Sequence, residues 1–171
     1  MHNLFLMEAT PANEEAYLDF AADWERNGEE ITPYAARLLG RSYAKWLSDT
    51  EAIKTCAPEG LVNAHTYFLV NEEGRFLGAI NIRHRLNDYL ARFGGHIGYG
   101  VRPGERRRGY AARMLALALP IARELGITRA LITCDKENEA SARTILKNGG
   151  VLENEVPEGD RVTQRYWIDT R

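Results

Sequence analysis

Residues 106–111 read RRRGYA, three arginines directly before a glycine, a tyrosine and an alanine. At a helix start the first N–H groups lack intrahelical partners and the dipole adds partial positive charge, so such a place suits an anion. Gly109 allows a backbone approach that a side chain would block, and Ala111 keeps the first turn slim. Arg106, Arg107 and Arg108 add positive charge around them. Those are the requirements for binding a pyrophosphate. The Walker phosphate-loop pattern is absent. The dinucleotide pattern Gly-x-Gly-x-x-Gly begins at Gly98 and Gly100 but meets Pro103 in third place, and the helix starts several residues late.

Charge over the whole chain sets limits on this loop. Lys and Arg number 22 against 24 Asp and Glu, a formal net charge of −2. That balance argues against a general nucleic-acid or polyanion binder, so a nucleic-acid role for Arg102 and Arg106 to Arg108 is the weaker rival. A small local basic site is still allowed. Cys56 and Cys134 are too few for a disulfide framework or a zinc cluster and read as reduced thiols, with no metal expected. The opening MHNLFLMEAT lacks the basic flank and long apolar region of a secretion signal. No apolar run approaches the roughly 18 to 20 residues of a membrane span, so the expectation is a cytoplasmic protein without a membrane partner.

The 171 residues carry no repeat, linker or low-complexity tract and read as one domain, residues 1–171. Residues 3–9 form a short strand, followed by helices over 12–26 and 34–55. In the second helix Ala35, Leu38, Leu39, Tyr43, Trp46 and Leu47 recur at helical spacing, with Pro33 at the first helical position. Residues 65–84 read as a hairpin turning at Gly74. A strand over 96–102 contains Gly98 and Gly100, which mark a bulge or a close backbone approach. A helix over 110–125 buries Met114, Leu115, Ala118, Leu119, Ala122 and Leu125, although Pro120 inside it should cost about 3 kcal/mol or kink it. A strand over 128–135, a helix over 139–147 capped by Asn138, and a closing hairpin over 151–168 complete the chain. The order β-α-α-β-β-β-α-β-α-β-β describes an α/β fold with a mixed sheet.

Arg106, Gly109 and Ala111 also fill the pattern Arg/Gln-x-x-Gly-x-Gly/Ala, which resembles the acyl-CoA pyrophosphate loop of the GNAT superfamily of N-acetyltransferases. GYGVRPGERRRGYA resembles that family's fourth strand running into the loop. LITCDKENEASARTILKNGG resembles its fifth strand and following helix, with the Asn-x-x-Ser element at Asn138 and Ser141. Over residues 66–169, INIRHRLN, GGHIGYGVRP and CDKEN are similar to a bacterial subgroup of predicted acetyltransferases. The resemblance implies the GNAT fold and transfer of acetyl from acetyl-CoA to a primary amine, on a small molecule or a peptide, without a metal. It assigns the phosphates to the N–H groups of Arg106, Arg107, Arg108, Gly109, Tyr110 and Ala111. The thioester carbonyl falls to a backbone N–H among Tyr99, Gly100 and Val101, and Asn138 and Ser141 lie beside the cofactor. A homodimer is compatible with it.

Proton handling departs from the family pattern. Many relatives carry a tyrosine seven residues after the Asn, placed to protonate the departing thiolate; here that position is Ile145. Ser141 is the nearest substitute, or else an ordinary first-turn serine bonding local backbone. Asn138 is likewise a cofactor contact or only a helix cap. His96, with a reference pKa near about 6.5, is the first candidate base and His84 the second; a structural histidine is the alternative for both. Direct attack with the proton lost to water needs no base. Glu72 and Glu73 read as solvated turn residues, and Cys134 as a buried strand residue without an activating partner. Tyr43, Trp46 and the N-terminal helices shape the acceptor site or simply pack a core. A non-catalytic acyl-CoA sensor is the first rival, favoured by the missing tyrosine.

Overall fold

The computed structural model describes residues 3–171, and alternating apolar residues there build seven strands. In chain order the elements are β1 (Phe5–Met7), α1 (Glu14–Arg26), α2 (Tyr43–Ala52), β2 (Ala64–Val70), β3 (Phe76–Arg83), β4 (Ile97–Val101), α3 (Tyr110–Glu124), β5 (Arg129–Asp135), α4 (Glu139–Lys147), β6 (Val151–Glu158) and β7 (Arg161–Asp169). Short 3-10 turns lie at Pro11–Asn13, Tyr34–Ala36 and Pro103–Glu105, and a π-helical turn at Leu90–Gly94. The order of strands and helices is the one expected.

One expected helix is broken. Residues 37–42 are not helical, because Leu39 (φ 54°) and Gly40 (φ 79°) take left-handed conformations. A new start follows at Ser42, whose hydroxyl accepts the Lys45 N–H at 3.1 Å. Pro33 accordingly caps a 3-10 turn instead of opening a long helix. Helical spacing of the apolar residues survives because both pieces pack on the same core: Ala36 is buried, and the Trp46 indole donates to the Ala35 carbonyl at 3.0 Å. Pro120 does not end α3. It lies on the exposed face, where water can reach the carbonyl its ring leaves unpaired.

The strands divide into a four-stranded sheet, β1-β2-β3-β4, and a three-stranded sheet, β5-β7-β6. Every registered pair is antiparallel. Helix α3 covers both sheets on one side, where Leu77, Ile80, Ile82, Met114, Ile132 and Ile168 share one core. On the opposite side of the first sheet, α1 and α2 enclose an aromatic core of Tyr17, Phe20, Trp24, Tyr43, Trp46 and Phe68. Tyr43 and Trp46 are therefore packing residues, 4% and 1% exposed, and line neither of the two pockets described below.

The two sheets meet at His96. Its backbone N–H donates to the Leu131 carbonyl at 2.7 Å, and its Nδ1 accepts the Leu131 N–H at 2.9 Å. The ring is buried, edge-on to Trp167. Burial, followed by the Arg83 charge, pulls its pKa down to about 4, so the ring is neutral at neutral pH. This placement corrects the expectation of a catalytic base, because Nδ1 is committed to a backbone amide. His84 lines neither the groove nor the pocket described below, and its Nε2 faces His65 Nδ1 at 2.7 Å.

A histidine whose native pKa is depressed binds a proton more readily when unfolded, so its stabilising contribution is present above about pH 6.5 and is lost as pH falls toward 4. The loss at His96 is on the order of 3 kcal/mol. In His96→Asn the amide oxygen can replace Nδ1 as acceptor without titrating. Denaturant unfolding across pH 4 to 6.5 should therefore be flatter for the variant. It should not be flat, because His65 and His84 are also depressed.

Candidate active site

Strands β4 and β5 are the end strands of their sheets, and they face each other. Antiparallel pairing alternates residues that bond across the ladder with residues that do not. Arg102 N–H donates to the Leu77 carbonyl (3.0 Å) and Arg83 N–H to the His96 carbonyl (2.8 Å). In the β3–β4 register those bonds assign the even-numbered residues of β4 to β3. The N–H groups of Tyr99 and Val101 therefore point off the sheet edge into the gap, as donors for a ligand. The two glycines of β4 do not form a bulge, because its register with β3 is continuous. They mark a close approach: a side chain on Gly100 would collide with the Thr32 carbonyl.

The loop leaving β4 is held from outside by charges. Arg102 is wholly buried; its Nε meets Asp23 at 3.0 Å and its Nη1 meets Asp19 at 2.7 Å, both on α1. Asp23 also accepts the Gly104 N–H at 2.9 Å. Glu105, itself buried, pairs with Arg75 and, at 3.2 Å, with Arg108. Arg106 forms two bonds to Glu29, at 2.9 and 2.6 Å, and lies 5.1 Å from the Trp24 ring centre. These pairs consume most of the local positive charge, and Arg102 is inaccessible, which leaves little of the basic patch that nucleic acid would need. Only Arg107 of the three consecutive arginines has no ion-pair partner among the described residues.

These pairs hold the loop's side chains, several of them in the groove wall itself, and Gly109 adds bare backbone to that wall. Arg107 (φ 64°) and Gly109 (φ 79°) are left-handed, and Gly109 caps α3. Left-handed residues interspersed in such a run make a concave row of N–H donors. A Cβ on Gly109 would meet open space, so the backbone there is bare toward the groove. The groove, about 690 Å³, runs from Arg106, Arg107, Gly109, Tyr110 and Ala111 past Tyr99, Gly100 and Val101 to Asn138 and Ser141. All the expected cofactor-side residues except Arg108 line this one space, and Arg108 faces Glu105 instead.

Asn138 caps α4, its Oδ1 accepting the Ser141 N–H at 3.1 Å, which keeps it in the groove wall. The Ser141 hydroxyl lies 2.7 Å from the Tyr99 hydroxyl. Burial pushes the Tyr99 phenol up to about 12, so it holds its proton at neutral pH. Sequence reasoning missed this side chain and considered only the Tyr99 backbone. The available signal was strand alternation, which puts Tyr99 on the same face as Ile97 and Val101, toward α3 and α4. Ile145 is fully buried in the core and offers nothing to the groove. Cys134 is buried, with its thiol pushed up to about 11 by burial, and so stays protonated. Glu72 and Glu73 are exposed turn residues, as expected.

A second pocket of about 250 Å³ adjoins the groove, sharing part of its lining. Thr32, Tyr99, Asn138 and Ser141 line both spaces, and Pro33, Tyr34 and Arg83 line only the smaller one. Thus a long groove starting at the N-terminus of α3 meets a small pocket at a pair of hydroxyls.

Solved structures of similar fold include yncA from Salmonella typhimurium, determined with its cofactor acetyl-CoA: TM-score 0.66 and 15% identity, over 98% of this chain and 94% of that one. A spermidine N-acetyltransferase chimera from Vibrio cholerae and hSSAT gives TM-score 0.65 at 14% identity, over 98% and 95%. A GNAT-family acetyltransferase from Bacillus anthracis gives 0.65 at 18% identity, over 99% of both chains. At such identities the likeness is one of fold. No curated protein sequence matches the chain. The family model for the acetyltransferase (GNAT) domain matches residues 3–151, and the chain belongs to the GNAT acetyltransferase family.

Proposed function

We propose that the chain is an N-acetyltransferase that transfers the acetyl group of acetyl-CoA to a primary amine. One observation carries the reading: the groove that starts at the amide-lined end of α3 reaches the Tyr99–Ser141 hydroxyl pair, where the second pocket begins. The residues present fit the cofactor. A diphosphate suits the N–H groups at Gly109, Tyr110 and Ala111 at the start of α3, where Gly109 is left-handed and carries no side chain to cover them. A groove of about 690 Å³ is of the size that takes an extended cofactor. The spermidine N-acetyltransferase of similar fold also names an amine acceptor.

Bound acetyl-CoA supplies an acetyl group already activated as a thioester. The chain's residues then have three tasks. Arg107 and the amides of 107–111 hold the phosphates. The outward N–H groups of Tyr99 and Val101 lie ready for the negative charge that grows on the carbonyl oxygen as the amine attacks. The Tyr99–Ser141 pair donates a hydrogen bond to the sulfur as its bond to carbon breaks. In the balance, the amine nitrogen forms the new C–N bond and the C–S electron pair leaves on sulfur. The nitrogen loses one proton to solvent, and the sulfur takes one through the hydroxyl pair, which solvent refills. No residue is needed as a dedicated base, consistent with the structural roles of His96 and His84.

Acetyl-CoA should raise the melting temperature of the wild type. Gly109→Asp places a carboxylate in the anion site and a side chain at a left-handed position. Its shift should vanish while far-UV circular dichroism stays native, and an unchanged shift would remove the loop from the reading.

Thiol release on an amine panel reports the chemistry. Tyr99→Phe and Ser141→Ala should each lower kcat by about tenfold to a hundredfold, with acetyl-CoA affinity nearly unchanged. Wild-type rates in both variants would exclude the pair, and binding without thiol release on any amine would favour a sensor.

A further inference from the structure

The smaller pocket contains a cation with no counter-charge. Arg83, the last residue of β3, turns its guanidinium into this pocket, beside the wall formed by Gly98 and Cys134. A Cβ on Gly98 would lie 3.1 Å from Arg83 Nη2, which fixes that nitrogen one residue from Tyr99. Nη1 donates to the carbonyls of Gly94 (2.8 Å) and Gly95 (3.2 Å). Nε and Nη2 have no hydrogen-bond partner, and no carboxylate lies within ion-pair distance, among the described residues. Arg102 makes the contrast: wholly buried where Arg83 is partly so, it is matched by two aspartates.

A guanidinium taken out of water is costly unless it is paired, because neutral carbonyls replace only part of its hydration. The cost is visible at Arg83, whose pKa burial lowers. Two carbonyls position the side chain, while the remaining N–H groups keep the fork that matches a carboxylate. The pocket, about 250 Å³, admits only a small molecule or the end of a chain. Tyr99 and Ser141 line it as well, so a ligand bound there reaches the reaction centre.

We propose that Arg83 binds a carboxylate of the acceptor, so that the acceptor is a small primary amine that also carries a carboxylate, such as an amino acid. This rests on the acetyltransferase reading and names its substrate class. Its carboxylate would take the free edge of Arg83 and aim the amine toward Tyr99 and Ser141. An amine lacking the carboxylate would leave the guanidinium unpaired, which is the basis for discrimination.

The test compares the proteinogenic amino acids with their carboxamides, and with spermidine, using the full chain and acetyl-CoA. Wild type should acetylate at least one amino acid with kcat/KM about tenfold or more above its amide. Arg83→Gln should erase that preference without changing acetyl-CoA affinity, and Arg83→Lys, which keeps the charge, should retain part of it. Equal use of acid and amide, preference for spermidine, or a preference that survives in Arg83→Gln would overturn the proposal and leave the enzyme reading standing. If no amine turns over, that reading fails, and binding decides for Arg83. Thermal shift by the same amino acids in the presence of CoA, present in wild type and lost in Arg83→Gln, supports the carboxylate site; no shift in wild type overturns it.

Discussion

Strands β4 and β5 are fastened to each other at one end only, through the two bonds between His96 and Leu131. Past that point neither edge is paired among the described residues, and backbone donors that a continuous sheet would use face a gap instead. The groove, the second pocket and the hydroxyl pair at their junction all sit along this opening. A histidine suits the fastening because a neutral ring can accept the Leu131 amide while its own backbone N–H donates to the same residue. A protonated ring could not accept that bond. The sheets are thus joined by a group that must stay uncharged, and burial keeps it so.

Keeping the gap open also needs the loop after β4 to stay in place without filling it. That work falls to α1 and the segment behind it, which offer Asp19, Asp23 and Glu29 to Arg102, Gly104 and Arg106. Removing a charge such as Arg102 from water costs several kcal/mol unless every donor is matched, and here two carboxylates and two carbonyls match it. The arginines of the run consequently behave differently from one another. Arg106 is clamped to Glu29 in the groove wall, Arg108 pairs back to Glu105, and Arg107 alone keeps its charge unmatched among ion pairs of the described residues. What these clamps orient is the backbone at the start of α3.

How much could be seen in the sequence follows from the range of each interaction. The Arg-x-x-Gly-x-Ala loop lies within six residues, and the cap of α4 joins residues three apart, so spacing alone makes both visible. The order of strands and helices is legible for the same reason, being set by local periodicity. The break at Leu39 and Gly40 is not, since apolar spacing persists through a turn that packs on the same core. Tyr99 and Ser141 are 42 residues apart, and no linear pattern couples a strand phenol to a helix hydroxyl. His96 was ambiguous because its partner, Leu131, lies 35 residues away and contributes backbone, which carries no residue signature. Arg83 differs from Arg102 only in what surrounds it, and surroundings are a property of the folded chain.

The central claim is that one continuous cleft holds acetyl-CoA by its phosphates at the start of α3 and presents the thioester between β4 and β5. A crystal structure of the chain with acetyl-CoA tests it most directly. The account predicts diphosphate oxygens accepting the backbone N–H groups of residues 107–111, the acetyl carbonyl facing the Tyr99 or Val101 amide, and the sulfur within hydrogen-bond reach of Tyr99 or Ser141. A cofactor bound elsewhere, or one whose thioester lies away from the gap, would contradict it.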